Sequence, residues 1–208
     1  VNYLGHLLVL PDSGLISLGN LLGDFVKGRL DSIADPQLRL GVALHRELDR
    51  YTDQHPLVRA AIARISSPRR RVAGVLIDVF FDHFYAQSID IDALRRPLLP
   101  HLAALPAPLQ SLPERMITSH WFGAYATPSG IGAVLHRMEQ RRGRPLGLTG
   151  AEQELSSHYQ HFEDAALAFL PDAIAFTRET LLRLQSASLA GPPPAAAAVS
   201  SADPPQTS

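Results

Sequence analysis

The 208-residue chain has no cysteine, only two methionines and one tryptophan. Without cysteine there can be no disulfide, zinc–thiolate site, iron–sulfur cluster or thiol nucleophile. Any metal must be held by imidazole nitrogen and carboxylate oxygen, which are borderline or hard ligands. The chain also lacks charge of one sign. Nineteen Lys and Arg stand against 20 Asp and Glu, for a net charge of -1. Nothing in that balance argues for nucleic acid or a membrane surface as partner. No apolar run is long enough to span a bilayer. The run from Tyr3 to Leu10 has no preceding basic residue and no clear cleavage site, so it does not read as a signal peptide. The cytoplasm is the expected location. There is no Gly-x-Ser-x-Gly elbow, and the glycine-rich stretches match neither the phosphate loop nor the dinucleotide fingerprint.

What is present is helical pattern, with 46% apolar residues over a length suited to one sizeable core. The expected fold is all-α: a single compact helical domain over residues 1–186. The Ala/Pro/Ser-rich tail, 187–208, is too poor in core-forming residues to fold and is expected to be disordered. Asp35-Pro36 reads as an N-cap with proline in the first turn, opening a helix to about Thr52. His55-Pro56 opens another to about Ile65, and Ser67-Pro68 a third to about Gln87. Further helices are expected over Glu114–Tyr125 and Ser129–Arg142. Thr149 to Glu152 has capping-box spacing and predicts a long helix that Pro171 should kink or divide.

Three apolar, helix-patterned segments carry ionisable groups. The first holds Asn20 and Asp24, four apart, with Gly19, Gly23 and Gly28 nearby. The second holds His45 and Asp49, again four apart and so on one face, then Asp53 and His55. In the third, Val72–Phe84 is apolar nearly all round and is interrupted by Asp78, Asp82 and His83. His6 is a further candidate. One histidine on an apolar helix is most often a satisfied core residue, and one buried aspartate is most often a cap or an ion-pair partner. Three helices that each carry such groups point instead to a His/Asp metal site, because buried charge is costly unless paired or metal-bound. On an all-helical scaffold, that donor set suits a divalent ion that activates water against a phosphate ester.

At these residues the chain resembles the acyl carrier protein phosphodiesterase family. The matching pieces are Asn2-Tyr3-Leu4 with His6, Gly19–Gly28, Leu44–Pro56, Arg69–Ala73 and Asp78–Phe84. Similarity is looser beyond residue 90, where His120-Trp121, Tyr125 and Leu135–Arg142 carry it. The resemblance implies an all-α variant of the HD-domain metal phosphohydrolases, although the adjacent pair here is in Asp82-His83 order. It implies hydrolysis of holo acyl carrier protein to the apo form and 4'-phosphopantetheine. Mn²⁺ is the favoured ion, with Mg²⁺, Fe²⁺ or Zn²⁺ as alternatives.

The site residues expected on that basis are Asp24, His45, Asp82 and His83 as metal ligands. Asp24, Asp49 and Asp78 are the expected catalytic or orienting carboxylates. His6, Asn20, Asp53 and His55 are further or supporting candidates. Lys27, Arg46, Arg69, Arg70, Arg137 and Arg141 are candidates for binding the phosphate and an acidic protein partner. The basic groups fall into two clusters, Arg69–Arg71 and Arg137–Arg144, and only Glu139 opposes the second. Other readings are a phosphohydrolase of nucleotides or small diesters, and a non-enzymatic helical module that binds carrier protein.

Overall fold

The computed structural model describes residues 2–118 and 122–189. Helices run over Tyr3–Leu8 (α1), Leu15–Leu22 (α2), Pro36–Gln54 (α3), Pro56–Arg64 (α4) and Ala73–Ser88 (α5). They continue over Ile91–Arg95 (α6), Ala107–Thr118 (α7), Pro128–Arg142 (α8), Glu152–Ser157 (α9) and Tyr159–Leu189 (α10). Short 3-10 turns occupy Gly23–Phe25, Leu30–Ser32, Ser67–Val72, Arg96–Ala104 and Phe122–Ala126, and no strand occurs among the described residues. The expected all-α class holds, in one compact domain. Nor is any helix among the described residues long and apolar enough to cross a membrane.

The core is built around α5. Leu76, Ile77, Val79, Phe80, Phe81, Phe84 and Tyr85 are all buried, as expected of a helix that is apolar nearly all round. The long α10 lies across α3, α4 and α5 and adds Phe162 and Phe169 to that core. α2 packs most closely on α3, through two glycines. A Cβ on Gly41 would lie 2.1 Å from the Ile16 carbonyl, and one on Gly19 2.5 Å from the Leu38 carbonyl. Only bare backbone permits that approach, and it brings the two site-bearing segments together.

The two Pro-capped starts are found. The Asp35 carboxylate accepts from the N–H of Gln37 and Leu38, each at 2.9 Å. The His55 ring accepts from the Leu57 N–H at 3.3 Å. Elsewhere the expected boundaries shift. The turn Ser67–Val72 stays 3-10, and α5 starts only at Ala73. In place of one helix over Glu114–Tyr125 there is α7 from Ala107 and a separate turn at Phe122–Ala126. His120-Trp121 and residues 190–208 lie outside the described residues, while residues 187–189 of the expected tail continue α10.

Thr149 does not cap a long helix, because its N–H and hydroxyl are both given to Glu139. The short α9 ends at Ser157, and α10 restarts at Tyr159 and runs through Pro171. Proline removes one helical hydrogen bond and crowds the carbonyl four residues back. Here both Pro171 and Leu167 are exposed, so that carbonyl sits on the solvent side. Buried Phe162, Phe169 and Ala173 anchor the opposite face.

Candidate metal centre

The short helix α1 places His6 against α2 and α3. Its N-terminus is held from across the core. Asn2 makes no side-chain cap, but the Asp82 carboxylate on α5 accepts from Leu4 N–H and Gly5 N–H, each at 2.9 Å. Asp82 is completely buried. Burial pushes its pKa up to about 7 against the pull of those two N–H groups. Both of its oxygens are engaged, and it anchors the helix that carries His6.

Asn20 then fixes two imidazoles. Its amide Nδ2 donates to the His6 carbonyl at 2.7 Å, which leaves Oδ1 to accept from His6 Nδ1–H at 3.1 Å. Its backbone carbonyl accepts from His45 Nδ1–H at 2.7 Å. The two rings stack with centroids 4.1 Å apart. A Cβ on Gly23 would fall 2.2 Å from His45 Cγ, so glycine is required where the Gly23–Phe25 turn crosses the ring.

With both Nδ1–H groups committed, both Nε2 atoms turn to one carboxylate. His6 Nε2 lies 3.2 Å from Asp49 Oδ1 and His45 Nε2 lies 3.1 Å from Asp49 Oδ2. Asp24 adds an oxygen 3.5 Å from His45 Nε2, from a side chain 66% exposed. Three ligand atoms, from His6, His45 and Asp49, lie within 4.8 Å of one another.

Neutral imidazoles in these tautomers would aim lone pairs at an anion, so the group needs a proton or a cation. Burial would lower the His45 pKa, but the bonds to Asp24 and Asp49 outweigh it and lift it to about 9. Burial and the neighbouring His45 charge hold His6 down. Partial burial would raise the pKa of half-exposed Asp49, yet the two rings keep its carboxyl far below the usual range. Asp24 is also lowered, chiefly by its bond to His45. Two imidazole nitrogens and the Asp49 carboxylate that crowd one point, with Asp24 beside His45, form a donor set for a divalent ion. Their Nδ1–H bonds to Asn20 are of the kind that orients ligating histidines.

The other expected site residues lie elsewhere. His83 is buried, with Nδ1–H donating to the Tyr125 carbonyl at 2.7 Å. Its Nε2 faces the Tyr159 hydroxyl and the Gln87 amide. Asp82 and His83 therefore do not join His45 and Asp24, contrary to the expected grouping. His55 caps α4 and meets Asp172 of α10 at 3.3 Å. Exposed Asp53, at the end of α3, has its pKa raised by partial desolvation and by the charge of Asp78 on α5. Lys27 is exposed, and Arg46 holds the adjacent loop through the Val26 and Gly28 carbonyls. Arg69 binds the Gly147 carbonyl and Glu154, and Arg70 the Ala63 carbonyl. Arg137 and Arg141 are exposed on α8.

Tyr3, which the expected site omitted, stacks on Phe25 at 6.2 Å. Burial and then the Asp24 charge push its pKa up to about 12, while Arg141 pulls the other way. Only the position of Tyr3 beside His6 in the N-terminal motif hinted at this.

The fold and this group define a class: an all-helical protein with a His/Asp centre suited to a divalent cation. The chain belongs to the acyl carrier protein phosphodiesterase family, whose model matches residues 1–173. The acyl carrier protein phosphodiesterase of Yersinia pestis is 36% identical over 184 residues, covering 82% of this chain and 94% of that protein. That of Serratia proteamaculans is 34% identical over 195 residues, covering 88% and 100%. An Escherichia coli relative of the same name is 31% identical over 188 residues, covering 84% and 96%. No solved structure matches the chain.

Proposed function

We propose that this chain hydrolyses holo acyl carrier protein to apo acyl carrier protein and 4'-phosphopantetheine. The reaction uses a divalent ion held by His6, His45, Asp49 and Asp24. The observation that carries the metal reading is the pair of imidazoles tied by Nδ1–H to Asn20, with both Nε2 atoms turned on Asp49. The substrate reading rests on family membership. Mn²⁺ is the ion of choice, and Mg²⁺, Fe²⁺ and Zn²⁺ suit the same donors.

A bound divalent ion supplies Lewis acidity toward a phosphoryl oxygen and lowers the pKa of water. The chain's own groups do the rest. Asn20 fixes both rings. Asp24 is the most exposed of the four donors and stands at the open side, where its carboxylate accepts the proton of the attacking water. The Tyr3 hydroxyl stays protonated at neutral pH and acts as a donor beside Asp24. Lys27 and Arg141 supply positive charge for the phosphate. The water oxygen bonds to phosphorus, and the P–O bond to the carrier protein's serine breaks. The serine oxygen leaves with the proton that Asp24 took from the water. Asp82 serves by pinning α1, so that His6 keeps its place.

Mass spectrometry of holo carrier protein incubated with the enzyme and Mn²⁺ tests this reading. Loss of the phosphopantetheine mass is expected. No loss with any of the four ions, alongside turnover of a nucleotide or a small diester, would contradict it.

A further inference from the structure

The two basic clusters of the sequence meet around one slot of about 390 Å³. Arg71 comes from the Ser67–Val72 turn, Arg142 from the end of α8, and Arg144 from the loop that follows. Val75, Met138 and Leu146 give the slot an apolar lining, and Val75 is 40% exposed. All three arginines are exposed, and none of their side chains forms an ion pair or hydrogen bond with any described residue.

One acid stands near them in sequence, and the fold diverts it. The Glu139 carboxylate turns onto the loop after α8, where it accepts from the N–H groups of Leu146, Gly147, Leu148 and Thr149 at 2.5–3.2 Å. The Thr149 hydroxyl also donates to it. These bonds, led by Thr149, hold the Glu139 pKa down to about 2. Gly143, which closes α8, and Gly147 and Gly150, which shape the loop, take the positive φ values this path needs. Arg69 braces the same wall through the Gly147 carbonyl and Glu154. The slot is therefore a fixed structure whose cations are left uncompensated.

We propose that this slot docks an acidic helical surface of the protein substrate, with carboxylates on Arg71, Arg142 and Arg144 around an apolar side chain seated over Val75. The backbone N–H groups of the wall, the natural grip for a small phosphate, are already taken by Glu139. What remains is spread cationic charge over an apolar floor, which complements an amphipathic acidic helix. Arg141, next to Arg142 at the end of α8, lies close enough to Tyr3 for its charge to act on that hydroxyl, as the Asp24 charge does. The inference rests on the carrier protein reading above. It moves docking away from Arg69 and Arg70, which are spent within the fold.

The test is the binding of fluorescently labelled apo carrier protein, which needs no turnover. R71E/R142E/R144E should raise the Kd by about tenfold or more, with a comparable rise in KM for holo carrier protein. Hydrolysis of bis(4-nitrophenyl) phosphate should not change. The charge-matched control R59E/R64E/R178E, on exposed faces of α4 and α10, should bind as wild type does. V75E keeps every arginine but adds a carboxylate to the floor. It should weaken binding as well, and it decides the matter on the same readout if the triple variant fails to fold. An unchanged Kd, an equal loss in the control, or a wild-type enzyme that binds no carrier protein overturns the docking site. Tight binding by a wild-type enzyme that releases no phosphopantetheine overturns the function reading instead, and the Kd series still judges the slot.

Discussion

The regions around His6/His45 and around His83 look alike in sequence and differ in what their histidines can do. Each ring is buried, sits on an apolar helix and donates Nδ1–H to an oxygen of a neighbouring element. The difference lies at Nε2. Around His83 the partners are the Tyr159 hydroxyl and the Gln87 amide, both able to donate. A neutral imidazole is satisfied there. Around His6 and His45 the partners are the carboxylates of Asp49 and Asp24, which only accept. That region is complete only with added positive charge. Burial alone does not call for a cation. A fixed tautomer that faces an anion calls for a proton or a cation.

Aspartate 49 gives the largest way to break this contrast. Asp49→Ala removes the carboxylate shared by both rings and forfeits several kcal/mol of charge stabilisation, about 10³-fold in rate. His83→Phe should leave the metal-dependent rate intact. Equal losses in the two variants under saturating Mn²⁺ would erase the distinction.

The next effect is on stability. Asp82→Ala leaves the Leu4 and Gly5 N–H groups buried without partners, a cost of about 3 kcal/mol. Urea denaturation should show that loss even when no metal is present. A variant as stable as wild type would mean that α1 is held in some other way.

Asn20→Ala is subtler, because every ligand remains. Loss of the amide that orients His6, with the backbone carbonyl that holds His45 retained, should weaken metal binding about 10–100-fold, as measured by competition with a chelator. Unchanged affinity would show that packing alone sets the His6 ring.

The smallest effect concerns the wall of the arginine slot. The Glu139 pKa is lowered from 4.5 to about 2 in the folded protein. Its contribution to stability is therefore present above pH 4.5 and is lost as pH falls toward 2. The melting temperature of Glu139→Gln should lie below wild type at neutral pH and converge with it in that acid window. A constant difference across the window would contradict the assignment.

The sequence made much of the scaffold legible, but less of the centre. Asp35-Pro36 and His55-Pro56 announced α3 and α4 because a cap followed by proline is a local signal. Pro171 misled, since whether a proline breaks a helix depends on which face packs, here the one bearing Phe162 and Phe169. The cost of buried charge marked His45, Asp49 and Asp24 as candidates, but it marked Asp82 and His83 equally. What separates them is tertiary. The partners of Asp82 are backbone N–H groups of α1, which no side-chain pattern shows. Those of His83 come from residues 125 and 159, far along the chain. Likewise the basic clusters were plain in the sequence, whereas the turning of Glu139 onto the 146–149 loop was not.

Calorimetric titration of the metal-free protein with Mn²⁺ tests the central claim most directly. The account predicts saturable binding in wild type and in His83→Phe, and its loss in His45→Ala and Asp49→Ala. Binding that survives in Asp49→Ala, or vanishes in His83→Phe while the fold is intact, would contradict it.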